Sequence, residues 1–268
     1  MNSRILMYHA IESGAGSVEM TQGGDLLYVL QVDMFKNHME LLKNEAANIV
    51  TFEDSIINET VTHDIELSIN NMNVFLTFDD GHRTNYTVAY PLLVEHGYKA
   101  AFFITTDWVN NKHYMTDHML REMHQNGMHI GSHGVSHNFM TGLSNDAIYK
   151  EMATSKKHLE DILGSEVVAF SAPGGRIDMR VAAIAAEVGY RHIFTSTSSA
   201  NLQIKGVEFY DRIPIKSNCD LKRFKNILYS ERSLQDYLTE SVLTLSKKML
   251  GNKRYESIRE FILRATHR

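Results

Sequence analysis

The sequence alternates between short apolar segments and longer amphipathic segments along most of its length, and this alternation limits the possible folds. The short segments are rich in β-branched and aromatic residues, whereas the longer ones repeat their apolar positions at helical spacing. Strands are predicted at residues 4–9, 74–78, 100–105, 128–132, 167–171, 192–196 and 209–215. Helices are predicted between most of them, at residues 35–46, 85–97, 116–127, 144–164, 179–189 and 221–228. Such alternation is typical of an α/β fold with a parallel sheet covered by helices.

The division into domains follows from the absence of any break in this pattern. No Pro/Ser-rich linker or low-complexity run interrupts the chain. A single catalytic domain is therefore expected over residues 1–230. Residues 231–268 have a helical pattern, and we expect them to form a C-terminal extension packed on that domain. The alternative for this amphipathic segment is contact with a second copy of the chain or with a membrane surface.

Composition excludes several classes of protein. The net charge of −5 gives no basic stripe for a nucleic-acid partner. The only cysteine, Cys219, cannot form a disulfide within the chain and excludes a cysteine-based zinc site. The first residues are too polar and their apolar run is too short for a signal peptide or a transmembrane segment. A cytoplasmic location is therefore expected, and the oligomeric state stays open.

Polar side chains follow several of the predicted strands, at the point where each strand ends. Asp79 and Asp80 follow strand 74–78, His9 ends strand 4–9, and the segments 131–137 and 172–175 follow two further strands. In a parallel barrel the carboxyl ends of the strands meet at one rim, where active sites lie. We therefore expect these side chains to lie close together.

The paired carboxylates and two histidines of this rim indicate a divalent metal. His133 and His137 are four residues apart, and two histidines with one carboxylate form a common catalytic zinc set. Cobalt, nickel or iron would also suit these ligands. One aspartate would bind the ion and the other would accept a proton from a water molecule. The alternative is purely structural, with Asp80-Gly81 as a turn signal and Asp79 as a helix cap.

Two motifs resemble those of the polysaccharide deacetylases, the NodB-homology domain of carbohydrate esterase family 4. TFDDG at residues 77–81 matches the first motif, and HGVSH at 133–137 matches H-[ST]-x-x-H except at Gly134. The resemblance extends over roughly residues 1–215. It implies a distorted (β/α)7 barrel, with Asp79 as the general base and with Asp80, His133 and His137 as ligands of one divalent ion, most simply zinc. It also implies hydrolysis of an N-acetyl group on an amino sugar.

The third motif of the family, R-x-P-x-G, is altered in this chain. Ser171 stands where the family has the arginine that orients the base, although Pro173 is kept and the N–H of Gly174 remains as an oxyanion donor. Two arginines are candidates to replace the missing guanidinium. Arg176 lies just after the motif, and Arg212 enters a strand near the rim, where Asp211 could equally hold it in a surface pair.

The last family motif, L-x-x-H, has no good match late in the chain but has one at Leu6-Met7-Tyr8-His9. This position resembles the circularly permuted subgroup that includes poly-N-acetylglucosamine deacetylases. The resemblance implies that His9 is the general acid, and we expect an Asp or Glu to hold its ring. The alternative is a strand-end histidine with a structural role.

The substrate is less defined than the chemistry. We expect an acetylated amino-sugar glycan or glycan precursor, with Trp108 either stacked on a sugar ring or packed as a partly buried core residue. The segment 11–30 is predicted to be a loop that influences specificity. The alternatives are the same chemistry on an O-acetyl, formyl or lipid-linked sugar, or a barrel that binds glycans without catalysis.

Overall fold

A computed structural model describes residues 3–14, 25–52, 72–196, 199 and 202–229. The predicted C-terminal extension at 231–268 lies outside these residues, as does much of the predicted loop at 11–30. The part of that loop that is described contains two short strands and a 3-10 turn at Asp25–Tyr28.

Strands form at each position that the sequence predicts. In chain order they are β1 (Ser3–Tyr8), β2 (Ile11–Glu12), β3 (Leu30–Gln31), β4 (Asn48–Ile49), β5 (Asn73–Phe78), β6 (Ala101–Ile104), β7 (His129–Ser132), β8 (Ala169–Ser171), β9 (His192–Thr195), β10 (Glu208–Asp211) and β11 (Ile213–Pro214). The sequence pattern does not predict β2, β3 and β4, which have two residues each. The prediction of one continuous strand at 209–215 is wrong, because the ladder changes partner at Arg212.

The main sheet is parallel and nearly closes into a barrel. Its order is β10-β9-β8-β7-β6-β5-β1-β11, with β4 beside the start of β5. Since β10 and β11 belong to one segment, residues 208–214 pair first with β9 and then with β1. The two edges of the sheet therefore meet at this segment. The predicted distorted (β/α)7 barrel is confirmed.

The barrel interior is filled mainly by aromatic side chains. Phe75, Phe103, Phe194 and Tyr210 belong to one buried cluster, and the rings of Phe194 and Tyr210 stack with centroids 4.7 Å apart. The Phe103 ring packs against Gly131, where a larger residue would not fit because its Cβ would lie 2.6 Å from the ring. A larger apolar cluster fills the space between the sheet and the surrounding helices. The interior below the rim is thus packed with side chains.

The helices also follow the prediction, with residue-level differences. They are α1 (Val32–Asn44), α2 (Tyr90–Glu95), α3 (Asp117–Gln125), α4 (Asn145–Leu163), α5 (Met179–Val188) and α6 (Leu221–Tyr229). Thr116 and Ser144 cap α3 and α4 by accepting hydrogen bonds from backbone N–H groups. The predicted helix 85–97 differs, since it begins with a π-helical turn at Asn85–Ala89. No helix in the described ranges has the length and apolar character needed to cross a membrane.

Candidate active site

Asp79 lies at the end of β5 and is paired with a buried arginine. Its Oδ1 and Oδ2 accept hydrogen bonds from Nη1 and Nη2 of Arg212 at 2.7 and 2.8 Å. The two side chains are 3% and 0% exposed. Two parallel hydrogen bonds between a guanidinium and a carboxylate fix the carboxylate plane as well as its position. Asp79 is therefore held rigidly at the rim.

Arg212 has partners for all of its donors, because the change from β10 to β11 places its side chain inside the rim. Besides the two bonds to Asp79, Nη1 donates to Thr77 Oγ1 at 3.2 Å and Nη2 to Ser171 Oγ at 2.8 Å. Nε donates to the carbonyl of Thr195 at 3.3 Å. A guanidinium has five N–H donors, and each one is used here. The charge is thus buried without an unsatisfied donor.

These contacts distinguish Arg212 from Arg176, the two candidates to replace the arginine of the third motif. Arg212 contacts Asp79, whereas the guanidinium carbon of Arg176 lies 4.4 Å from the centroid of the Phe139 ring. The alternative of a surface pair between Asp211 and Arg212 is wrong, since Arg212 is buried and the Asp211 carboxylate accepts hydrogen bonds from Thr195 and Ser199 instead. The small Ser171 leaves space for the guanidinium and hydrogen bonds to it.

The surroundings of Asp79 keep it ionised. Burial by itself raises the pKa of this carboxyl, but the charge of Arg212, followed by that of His133, lowers it by more. The net effect is a pKa below the usual value. Asp79 is therefore a carboxylate near neutral pH and can accept a proton.

Asp80 has an uncommon backbone conformation that turns its carboxylate toward the two histidines. Its φ is +75°, and the following Gly81 has φ +78°. Aspartate tolerates this left-handed region better than most residues, and such conformations concentrate at functional sites. Burial raises the pKa of Asp80, but the charges of His137, His9 and His133 lower it well below the usual range. Its Oδ1 is buried, and no hydrogen bond of ordinary geometry reaches it.

His133 is oriented by a hydrogen bond at Nδ1, on the side of its ring away from Asp80. Its Nδ1 lies 2.8 Å from the carbonyl oxygen of Ser171 and must donate to it, which leaves the lone pair on Nε2. Burial lowers the pKa of His133 to about 4, against the opposing charge of Asp79. The imidazole is therefore neutral near pH 7, as metal binding requires.

His137 completes the cluster at its solvent side. Its side chain is 26% exposed and its φ is +60°, again in the left-handed region. The Trp108 ring lies with its centroid 5.1 Å from that of His137 and 4.8 Å from that of Tyr114. The half-buried Trp108 thus packs directly against a candidate ligand at the rim.

The geometry of this cluster fits a divalent ion. Asp80 Oδ1 lies 3.5 Å from Nε2 of His133 and 3.3 Å from Nε2 of His137, and all three ligand atoms lie within 4.8 Å of one another. In a tetrahedral site with ligand–metal distances of about 2.0–2.1 Å, neighbouring ligand atoms are about 3.3–3.4 Å apart. Two imidazole nitrogens and one carboxylate oxygen would leave a position open for water or substrate.

His9 follows β1 on the same rim. Its ring stacks on Tyr28 with centroids 4.6 Å apart, and its carbonyl accepts a hydrogen bond from Asn85 Nδ2 at 2.7 Å. Its charge also contributes, after the larger effects described above, to the lowered pKa of both Asp79 and Asp80. The predicted carboxylate partner is not seen among the described residues, where His9 Nδ1 is buried without a hydrogen bond. Tyr28, which the sequence does not predict as a site residue, packs against the ring.

The segment after β8 forms a tight turn beside these side chains. Pro173 is buried and begins a 3-10 turn, and Gly174 has φ +65°. A Cβ at Gly174 would lie 2.5 Å from the Phe139 ring, so both the conformation and the close approach require glycine. Phe139 lies two residues after His137, and the guanidinium of Arg176 lies over the same ring. This segment is therefore packed against the loop that bears the histidines.

Comparison with known sequences agrees with this arrangement. A family model described as Polysaccharide deacetylase matches residues 68–193. YxkH of Bacillus subtilis, a protein assigned by name to the polysaccharide deacetylases, is 30% identical over 211 residues, which are 79% of this chain and 70% of YxkH. The peptidoglycan-N-acetylglucosamine deacetylase of Bacillus cereus is 30% identical over 132 residues, or 49% of this chain and 60% of that protein.

Comparison with solved structures agrees with the fold. The deacetylase PplD of Streptococcus pyogenes, determined in complex with acetate, superposes with a TM-score of 0.69 at 26% sequence identity. The superposition covers 85% of this chain and 98% of PplD.

Proposed function

The chain belongs to the polysaccharide deacetylase family and is a carbohydrate deacetylase, and we propose that it removes N-acetyl groups from an amino-sugar glycan or glycan precursor. The observation that carries the proposal is the ionised Asp79, held by Arg212 next to Asp80 and the two histidines. A hydrolase needs both a base and an electrophilic centre, whereas a protein that only binds glycans does not require a base next to a metal-binding cluster. The named substrate of the B. cereus relative supports an N-acetylglucosamine unit.

The metal is proposed to be held by Asp80, His133 and His137. When bound, a divalent ion polarises the acetyl carbonyl and lowers the pKa of a water molecule. Zinc is the simplest choice for two imidazoles and one carboxylate with an open position, with cobalt, nickel and iron as alternatives.

The protein side chains would share the proton transfers. Asp79 takes a proton from the attacking water, since it is ionised and its orientation is fixed by Arg212. The N–H of Gly174 stabilises the negative charge that develops on the carbonyl oxygen. His9 gives a proton to the departing nitrogen as the carbon–nitrogen bond breaks, so that the products are acetate and a free amine. Trp108 provides an apolar ring face beside His137 on which a sugar can stack.

The reaction can be tested directly by a substrate screen. Protein loaded with Zn²⁺, Co²⁺ or Ni²⁺ is incubated with chitooligosaccharides, acetylated monosaccharides, nucleotide sugars and O-acetylated or formylated sugars. Loss of one acetyl mass from an N-acetyl substrate is the expected result in mass spectrometry. Turnover confined to the O-acetyl or formyl compounds would shift the proposal to that alternative, and absence of any turnover would favour a non-catalytic glycan-binding barrel.

Metal binding should depend on His133. We expect one divalent ion per chain in isothermal titration with Zn²⁺, and a loss of at least about tenfold in affinity in His133→Ala, because only two ligands remain. His158→Ala is the matched control, since this histidine is exposed on α4. Equal Zn²⁺ affinity in the two variants would contradict the assignment of the ligands.

His9 should matter more for amides than for activated esters. An amine is a poor leaving group without protonation, whereas 4-nitrophenolate leaves unprotonated. His9→Ala is therefore expected to slow N-acetyl hydrolysis by about a hundredfold or more and 4-nitrophenyl acetate hydrolysis by much less. Both rates are measured on the same metal-loaded samples. An equal loss on both substrates would point to a structural role for His9.

A further inference from the structure

The loop that carries both histidines has a conformation that needs support from outside. Gly134 has φ +81° and His137 has φ +60°. The carbonyls of Gly134 and Val135 accept hydrogen bonds from the N–H groups of residues 106 and 107, which hold one side of the loop. A residue other than glycine at positive φ costs on the order of 1 kcal/mol or more and persists only where its surroundings fix it. The opposite side of the loop therefore also needs partners.

Glu151 on α4 supplies these partners. Its Oε2 accepts hydrogen bonds from the N–H groups of Val135 and Ser136 at 2.8 and 3.0 Å, and its Oε1 accepts one from Ser136 Oγ at 2.5 Å. One helical turn further along α4, Ser155 Oγ lies 2.7 Å from Oγ of Ser132, the residue before His133. Two residues on one face of α4 thus anchor the loop at its start and at its middle.

The carboxylate also fits closely against the loop backbone. A Cβ added at Gly134 would lie 3.2 Å from Glu151 Oε2 and 2.9 Å from the Met140 side chain. Glycine at this position therefore allows the carboxylate to approach the two N–H groups.

We infer that Glu151 is a positioning residue for metal binding: it holds the loop so that His137 Nε2 faces Asp80 and His133. Glu151 is not itself one of the clustered ligand residues among those described, since both of its oxygens face the loop. The inference rests on the proposed function, because it assumes that this cluster binds a divalent ion. Without the carboxylate, three donors lose their acceptor and the left-handed conformation of His137 loses its support.

The experiment measures metal affinity in the full chain. Metal-free protein is titrated with Zn²⁺ by calorimetry and with Co²⁺ by visible absorption, which reports the coordination geometry. We expect Glu151→Ala to raise the Kd for Zn²⁺ by about 10- to 100-fold and to alter the Co²⁺ spectrum. Glu151→Gln should stay within a few-fold of wild type, because its amide oxygen can still accept both backbone N–H bonds.

Two further variants separate positioning from other effects. Asp161→Ala removes an exposed carboxylate from the same helix, where it pairs with Lys157, and should leave the Kd unchanged. Glu151→Asp keeps the charge but shortens the side chain by one methylene, so it should weaken Zn²⁺ binding if reach is what matters. If Glu151→Ala does not fold in the absence of metal, Glu151→Asp decides the test.

The outcomes are distinct. A wild-type Kd in Glu151→Ala, or in Glu151→Asp where Glu151→Ala does not fold, would overturn the inference, as would an equal loss in Asp161→Ala. Failure of wild-type protein to bind Zn²⁺ or Co²⁺ would overturn the proposed function and remove the premise of the inference with it. Wild-type binding with unaffected Glu151 variants would leave the proposed function standing.

Discussion

Replacing Asp79 with asparagine is expected to lower kcat by about a hundredfold or more while one divalent ion stays bound. The carboxamide has nearly the same shape but cannot accept a proton from water, and loss of a positioned general base has effects of this size. Oδ1 of the amide can still accept one hydrogen bond from Arg212, but the buried guanidinium loses its charged partner, so Asp79→Asn should also be less stable than wild type. Acetate release gives the rate, and elemental analysis of the same sample gives the metal content.

Asp80→Asn is the matched partner variant, since it makes the same chemical change one residue away. We expect it to lose metal, because a carboxamide is a much weaker ligand for a divalent ion than a carboxylate. The pair of variants thus separates the two adjacent aspartates by two independent readouts. Near-normal turnover in Asp79→Asn with metal bound would show that this division of roles is wrong.

Most of the fold follows from local pattern, because both strands and helices here have strong periodic signals. The strand Asn73–Phe78 is buried at every residue, and all of its residues except Asn73 and Thr77 are apolar. Helix α4 has Ser144 as its cap and Gly164, with φ +69°, at its end, and both are visible in the sequence. The sequence does not predict the π-helical turn at Asn85–Ala89, because its residues do not distinguish it from a turn of α-helix. The division of 208–214 between two partner strands depends on barrel closure, which no local window contains.

The candidate site likewise contains some residues that the sequence predicts and others that it does not. Asp79, Asp80 and the two histidines stand in short motifs next to strand ends, so their convergence follows from the topology of a parallel barrel. Glu151 has no such signal, since it is an ordinary glutamate in an amphipathic helix and its role depends on how α4 packs. The pairing of Arg212 could be suggested but not decided from sequence, because Arg176 is closer to the altered motif. The burial of Arg212 distinguishes the two arginines, since a guanidinium inside the rim requires a charged partner there.

Removal of Arg212 should destabilise the protein more than removal of any exposed arginine. Arg212→Met keeps an unbranched side chain but leaves the Asp79 carboxylate buried without its partner, which is expected to cost about 3–5 kcal/mol. The matched control is Arg191→Met, because Arg191 makes the same two-bond contact with Glu166 at 3.1 and 3.0 Å, but at the surface. Exposed pairs contribute about 0–1 kcal/mol. Urea unfolding of both metal-free variants gives the free energies.

The same substitution should change the pH dependence in a defined direction. In wild type the net effect on Asp79 is a lowered pKa, so the stability that its ionisation contributes is present above the unfolded value of about 3.9 and is lost as the pH falls through the folded pKa. The charge of Arg212 is the largest effect that lowers the pKa of Asp79. Without it, burial is less strongly opposed, and the pKa of Asp79 rises. The stability difference between wild type and Arg212→Met should therefore shrink on acidification. The acidic limb of the pH–kcat/KM profile should move to higher pH, because the base must be ionised to act. An unmoved limb, or equal destabilisation in Arg191→Met, would show that Arg212 does not control the ionisation of Asp79.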